Sequence, residues 1–194
     1  MNRLIVMTLL LAGASAGLAD TADPRLAASR AAAQELGGAL KSVLLSAMQA
    51  GGPVAAIGVC NTKAAQIAGA ISTRRGIDVG RTALKVRNPA NAPDSWERGV
   101  LERFAQEQAS GVAVDKLEYA ETVTTDNGSV YRYMKAIPTA EMCLACHGSN
   151  LAPALTERLA ELYPQDQATG FAVGDIRGAF TISFPEQSDT IAAE

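Results

Sequence analysis

The sequence predicts an α+β protein built on an antiparallel sheet. Three observations carry that prediction. Helical patterns cluster in the first part of the chain, strand patterns follow and pair through a tight hairpin signal, and 48% of residues are hydrophobic, enough to form a core. A chain of 194 residues accommodates one ordinary domain plus a targeting segment.

The first residues read as a secretory signal peptide. Arg3 supplies the positive start, and Leu4 to Ala12 form an apolar run too short to span a bilayer. Two small-residue cleavage signals follow, Ala14-Ser15-Ala16 and Gly17-Leu18-Ala19. Cutting after Ala19 leaves acidic Asp20 at the new terminus and a single domain over 20–194. No later stretch reads as long and apolar enough to cross a membrane, so the mature chain is expected outside the cytoplasm without a stable span.

Asp23 and Pro24 open the first helix as N-cap and first helical residue. Leu26, Ala33, Leu36, Leu40, Val43 and Ala47 form its apolar face. Gly51-Gly52-Pro53 should end it. A second helix runs from about Val54 to Thr73, and its inner face reads Ile57, Cys60, Ala64, Ile67 and Ile71. Ile77 to Arg87 has strand character. After the loop 88–93, Asp94 and Glu97 form a capping box for a third helix with Trp96, Val100 and Phe104 inward.

Two strands, about Lys116–Thr124 and Val130–Ile137, flank Asp126-Asn127-Gly128, a hairpin signal because Asn-Gly readily takes positive φ. A short helical segment then carries a Cys pair, a helix covers about Ala154–Tyr163, and Ala179–Phe184 closes as a strand. The formal charge of −3 argues against nucleic acid as a partner and supplies no basic patch for an anionic membrane.

Cys143-Leu144-Ala145-Cys146-His147 is a C-x-x-C-H sequence, the attachment signal for c-type haem. Two thiols three positions apart can each add to one vinyl group of a single porphyrin, and the adjacent His is then held as an axial ligand. A disulfide, a redox dithiol or half a zinc site would use the same Cys pair. The adjoining His and the export signal favour one covalently held haem c.

His147 is the single His, so a second axial ligand from this chain is another residue type. Met48 and Met134 are candidates, as are Lys and water. Cys60 is left unpaired once the haem takes the other two thiols. It is a small buried hydrophobe, a partner in an intermolecular disulfide, which its inward-facing position disfavours, or a thiolate ligand, which would lower the reduction potential.

Several segments together resemble the Tll0287-like haem-domain family. They are Ile57-Gly58-Val59-Cys60, the run Gly80-Arg81-Thr82-Ala83-Leu84-Lys85-Val86-Arg87-Asn88-Pro89 continuing through Asp94, Cys143 to Gly148, and Tyr163-Pro164 through Ala168-Thr169-Gly170 to Gly178. The resemblance implies a PAS-like antiparallel sheet flanked by helices, with the N-terminal helices packed on the haem side. It also implies axial ligation by His147 and Cys60, with Met134 or Met48 as the fallback. Haem propionates need cationic partners. Arg81, Lys85 and Arg87 lie in a matched segment and Arg132 precedes the haem motif, so these are candidate propionate contacts.

The leading function is electron transfer at low potential by an exported monohaem cytochrome. The alternative is a haem-based redox or gas (CO or NO) sensor; with no transducer following, it would act through a separate signalling partner. An enzyme is the weakest reading, because no acid–base constellation is recognisable.

Overall fold

The computed structural model describes residues 23–126 and 128–185. The signal-peptide reading and Asn127 of the hairpin turn lie outside the described residues. The elements are α1 (Pro24–Arg75), β1 (Asp78–Thr82), α2 (Ser95–Ala109), β2 (Glu118–Thr125), β3 (Gly128–Pro138), α3 (Leu144–His147), α4 (Pro153–Leu162) and β4 (Ile176–Ser183). The fold class is α+β, as the sequence predicts.

Helix α1 begins as expected. The Asp23 side chain accepts from the Arg25 backbone N–H at 2.9 Å, and Pro24 occupies the first turn. It bends at Gly51-Gly52, where Gly52 takes φ 69°, a left-handed conformation that costs glycine little. The bend folds the helix back on itself. Glu35 pairs with both Arg74 and Arg75, the latter at 2.6 Å. In a straight helix those residues would stand about 60 Å apart at 1.5 Å per residue. Ala32, Ala33 and Leu36 of the first arm share a core with Ile71 of the second. The predicted pair of helices thus exists as the two arms of a helical hairpin.

The sheet is antiparallel, with strand order β1-β4-β3-β2. Alternation along the strands sorts two cores. Tyr131, Tyr133 and Ile182 pack beneath α1. Met134, Ala136 and Ala179 pack beneath Val100, Leu101 and Phe104 of α2. The capping box of α2 is complete: Asp94 accepts from Glu97 N–H at 2.8 Å, and Glu97 accepts from Asp94 N–H at 3.0 Å.

Two expectations need correction. The strand expected over Ile77–Arg87 stops at Thr82. Beyond it the chain leaves the sheet to meet the 163–171 strap: Val86 C=O accepts from Gln167 N–H at 2.8 Å, and the Arg87 side chain bonds Asp166. Second, α1 does contain an 18-residue stretch apolar enough to cross a membrane, with mean hydropathy 1.6 and 17% of it buried. Its many Ala residues raise the hydropathy, and the bend turns the two arms against each other.

The second arm starts on the remaining core, where Ile57 packs with Leu155, Leu159 and Tyr163, and Cys146 lies alongside. The N-terminal hairpin therefore flanks the Cys-His motif.

Gly178 fixes how β4 approaches β1. Its φ is 154°, and a Cβ there would lie 2.4 Å from the Thr82 carbonyl oxygen. Gly178→Ala should destabilise the fold by about 2 kcal/mol or more through strain and overlap with backbone. A lower urea midpoint at unchanged slope checks this.

Candidate functional site: a Cys-His turn under an arginine-pinned strap

The motif begins in a 3-10 turn, Glu141–Cys143, that runs directly into α3. One helical turn places residues three and four apart on one face. Cys143, Cys146 and His147 therefore lie close together, and all three are half-buried. Cys60 arrives from the returning arm of α1. Its charge acts on Cys146, as does that of Cys143, which puts the three thiols in one neighbourhood. All three are free thiols.

The strap that follows α4 orients the imidazole. His147 Nδ1 lies 2.7 Å from the Ala168 carbonyl oxygen. A carbonyl only accepts, so Nδ1 carries the hydrogen and Nε2 keeps its lone pair. Such a hydrogen bond fixes the tautomer and ring orientation of a metal-binding His. Burial, then Arg177 and Arg87, push the His147 pKa down to about 3. The ring is neutral at ordinary pH and free to donate through Nε2. Phe171 N–H donates to His147 C=O at 2.9 Å, and its ring stands edge-on to the imidazole.

Arg87 holds this strap. Its Nε donates to Asp166 Oδ2 at 3.0 Å, and Nη2 donates to the carbonyls of Cys146 at 2.6 Å and Ala168 at 3.2 Å. Asp166 in turn accepts from Ala168 N–H at 2.8 Å. The guanidinium thus ties the motif to the residue that orients its His. Arg87, a candidate propionate contact, has its donors on protein acceptors. Arg132 is committed too, 2.8 Å from Asp94 and stacked on Trp96 at the α2 cap.

Arg81 and Lys85 differ. Arg81 is half-buried beside Cys60 and Tyr163, and burial lowers its pKa. Its side chain has no hydrogen-bond or ion-pair partner among the described residues. Lys85 is exposed, donates to Thr169 C=O and sits 4.7 Å above the Phe171 ring centre.

Burial pushes the Cys60 thiol pKa up, while Arg81 and Arg87 oppose that rise. Of the two methionines offered as alternative ligands, Met134 does not join the site. Met134 is fully buried beneath α2, in a core that contains no motif residue. Met48 is half-buried on the first arm of α1.

The sequence reading passed over Arg177. The sheet register skips it: Ile137 pairs with Gly178 and Pro138 with Ile176. Arg177 is the extra residue of a β-bulge, a device that re-aims a side chain. Its Nε reaches His147, 3.2 Å from Nδ1 and 3.4 Å from Nε2. Only Nε2 can accept. Burial, with Arg87 and Arg81 nearby, lowers the Arg177 pKa to about 10.

This donor set suits an iron porphyrin: two thiols at helical spacing, an imidazole that keeps the Nε2 lone pair, and a third thiol from a separate element. The family match spans residues 14–185. The chain belongs to the Tll0287-like family. The solved structure of the cyanobacterial heme-protein Tll0287 is similar to it, with 26% identity and a TM-score of 0.57, covering 85% of this chain and 95% of that one. No curated protein matches. Membership in the Tll0287-like family accords with the segments that carried the resemblance.

Arg87→Ala should leave Asp166 without its partner at a site only 10% exposed. The expected loss is about 3–5 kcal/mol, measured by denaturant unfolding. A loss within 0.5 kcal/mol, typical of surface substitutions, would contradict the pinning role.

Proposed function

We propose that the chain is an exported monohaem c-type cytochrome that transfers electrons at low potential. Cys143 and Cys146 form the two thioether links, His147 is one axial ligand and Cys60 the other. The observation that carries this reading is the arrival of Cys60, from the returning arm of α1, beside a C-x-x-C-H turn whose His already presents Nε2. The solved haem-protein relative supports the same cofactor. The N-terminal segment, with Arg3, an apolar run and small residues before Asp20, supports export to an oxidising compartment.

The haem supplies a one-electron couple at its iron. The chain's own residues tune it. Ala168 C=O accepts from His147 Nδ1–H and raises the basicity of Nε2. Cys60, as a thiolate, donates strongly and favours the ferric state, which lowers the potential. Burial works against that thiolate, and the nearby guanidiniums of Arg81 and Arg87 work for it. The Phe171 and Tyr163 rings help keep water from the site.

A second reading rests on one feature. Cys60 and His147 belong to separate elements, so the thiolate can leave without disturbing the His147 turn. That arrangement, with the PAS-like resemblance, fits a redox or gas sensor that signals through a partner. Ferrous protein that stays six-coordinate and refuses CO and NO would remove this reading.

The test is spectroscopic. Wild-type protein matured with haem-attachment machinery should show a low-spin, thiolate-ligated ferric signature by EPR. Cys60→Ala should keep the covalent haem by mass and lose that signature. A spectrum unchanged by the substitution would exclude Cys60 as a ligand.

A further inference from the structure

We infer that Arg177 and Arg81 hold the two haem propionates, and that Arg177 releases His147 to do so. The inference rests on the haem reading above and assigns the charge partners that reading leaves open.

The argument begins with charge. Arg81, Arg87 and Arg177 surround the Cys-His turn, and each of the three acts on the His147 imidazole. Only Arg87 has a carboxylate partner, Asp166, at 2.9 Å. The Arg81 side chain has no partner among the described residues. Arg177 is given only neutral acceptors: His147, and Lys85 C=O at 3.4 Å. Half-buried cations without counter-charges are costly, and a matching anion offsets that cost. Three guanidiniums against one carboxylate leave a surplus of two positive charges, and a haem carries two propionates.

The second observation is geometric. The bulge in β4 aims Arg177 at His147, and its Nε lies 3.4 Å from Nε2, the one ring atom with a lone pair to share, and 3.2 Å from Nδ1, which cannot accept. That lone pair is the one an axial ligand gives to iron. Arg177 and the metal therefore compete for Nε2, and the side chain must move when the metal binds. A planar guanidinium that loses a neutral acceptor gains most from a carboxylate, which it can meet with two parallel hydrogen bonds. Arg87 is the residue to set aside, because its donors already hold Asp166, Cys146 and Ala168.

The test uses haem-loaded protein carrying Arg177→Gln, Arg81→Gln, Arg177→Lys or, as control, Arg103→Gln. Arg103 pairs with Glu107 on the surface of α2. Resonance Raman reads the propionate bending modes, and redox titration reads the ferrous-to-ferric ratio. Arg177→Gln and Arg81→Gln should each shift a propionate mode. Each should also lower the ferrous share at fixed solution potential by about tenfold, as loss of one positive charge near the iron requires. Arg177→Lys should restore most of the ratio but not the mode, and Arg103→Gln should change neither. Arg177→Lys also supplies the Raman comparison if Arg177→Gln yields no holoprotein. Propionate modes that stay fixed in both Gln variants overturn the inference while the haem reading survives. So does a wild-type spectrum that shifts on adding sulfate, because the arginines would then be serving a free anion. Wild-type protein without covalent haem defeats the haem reading itself.

Discussion

The site depends on one buried ion pair. Arg87 and Asp166 come from segments far apart in sequence, and each also binds backbone around Ala168. Together they fix the carbonyl that accepts from His147 Nδ1–H. Without that carbonyl in place the imidazole could rotate or take the other tautomer, and Nε2 would lose its assigned direction. A buried pair is weak evidence for stability in itself, since desolvation offsets much of its attraction. Here its additional bonds to Cys146 and Ala168 carbonyls give it a positional role. It also explains why β1 ends early: a strand continuing to Arg87 would keep the backbone in the sheet and away from the strap.

The helical hairpin does for Cys60 what the strap does for His147. Two arms that turn at Gly52 and clasp through Glu35 set the returning arm in register against the sheet. Ile57 then seats that arm on α4, one helical turn before Cys60. The thiol is thus placed by packing several residues away from it. Small residues make the close approach possible, since Ala32, Ala33, Ala47 and Ala56 are all buried. The same alanines raise the mean hydropathy of α1.

Local features of this chain were legible in the sequence because their causes are local. Asp23, Pro24, Asp94 and Glu97 cap their helices by contacts within three residues, and Gly52 turns the chain where a run of Gly-Gly-Pro breaks the helical pattern. The Cys-His turn is likewise a matter of spacing. What escaped depends on contacts across the fold. Arg87 reads as a free cation until Asp166 is brought to it. Arg177 reads as a loop residue ahead of the last strand, because a bulge is a property of two paired strands and Pro138 supplies half of it. The strand pattern past Thr82 misled for the same reason: alternation records what could pair, and the strap decides what does. Family resemblance located these segments without revealing their roles.

The electrostatics of the site run against those of the protein as a whole. The chain carries a net charge of −3, yet Arg81, Arg87 and Arg177 converge on the Cys-His turn. Under the proposed reading two tendencies then oppose each other at the iron. A thiolate from Cys60 favours the ferric state, whereas nearby guanidiniums favour the ferrous one. Neutralising those guanidiniums with carboxylates would remove most of the second tendency and leave the first to dominate. A low potential therefore follows from the thiolate only when the arginines are paired. On this reading the charge partners of Arg81 and Arg177 set the potential as much as the axial ligand does.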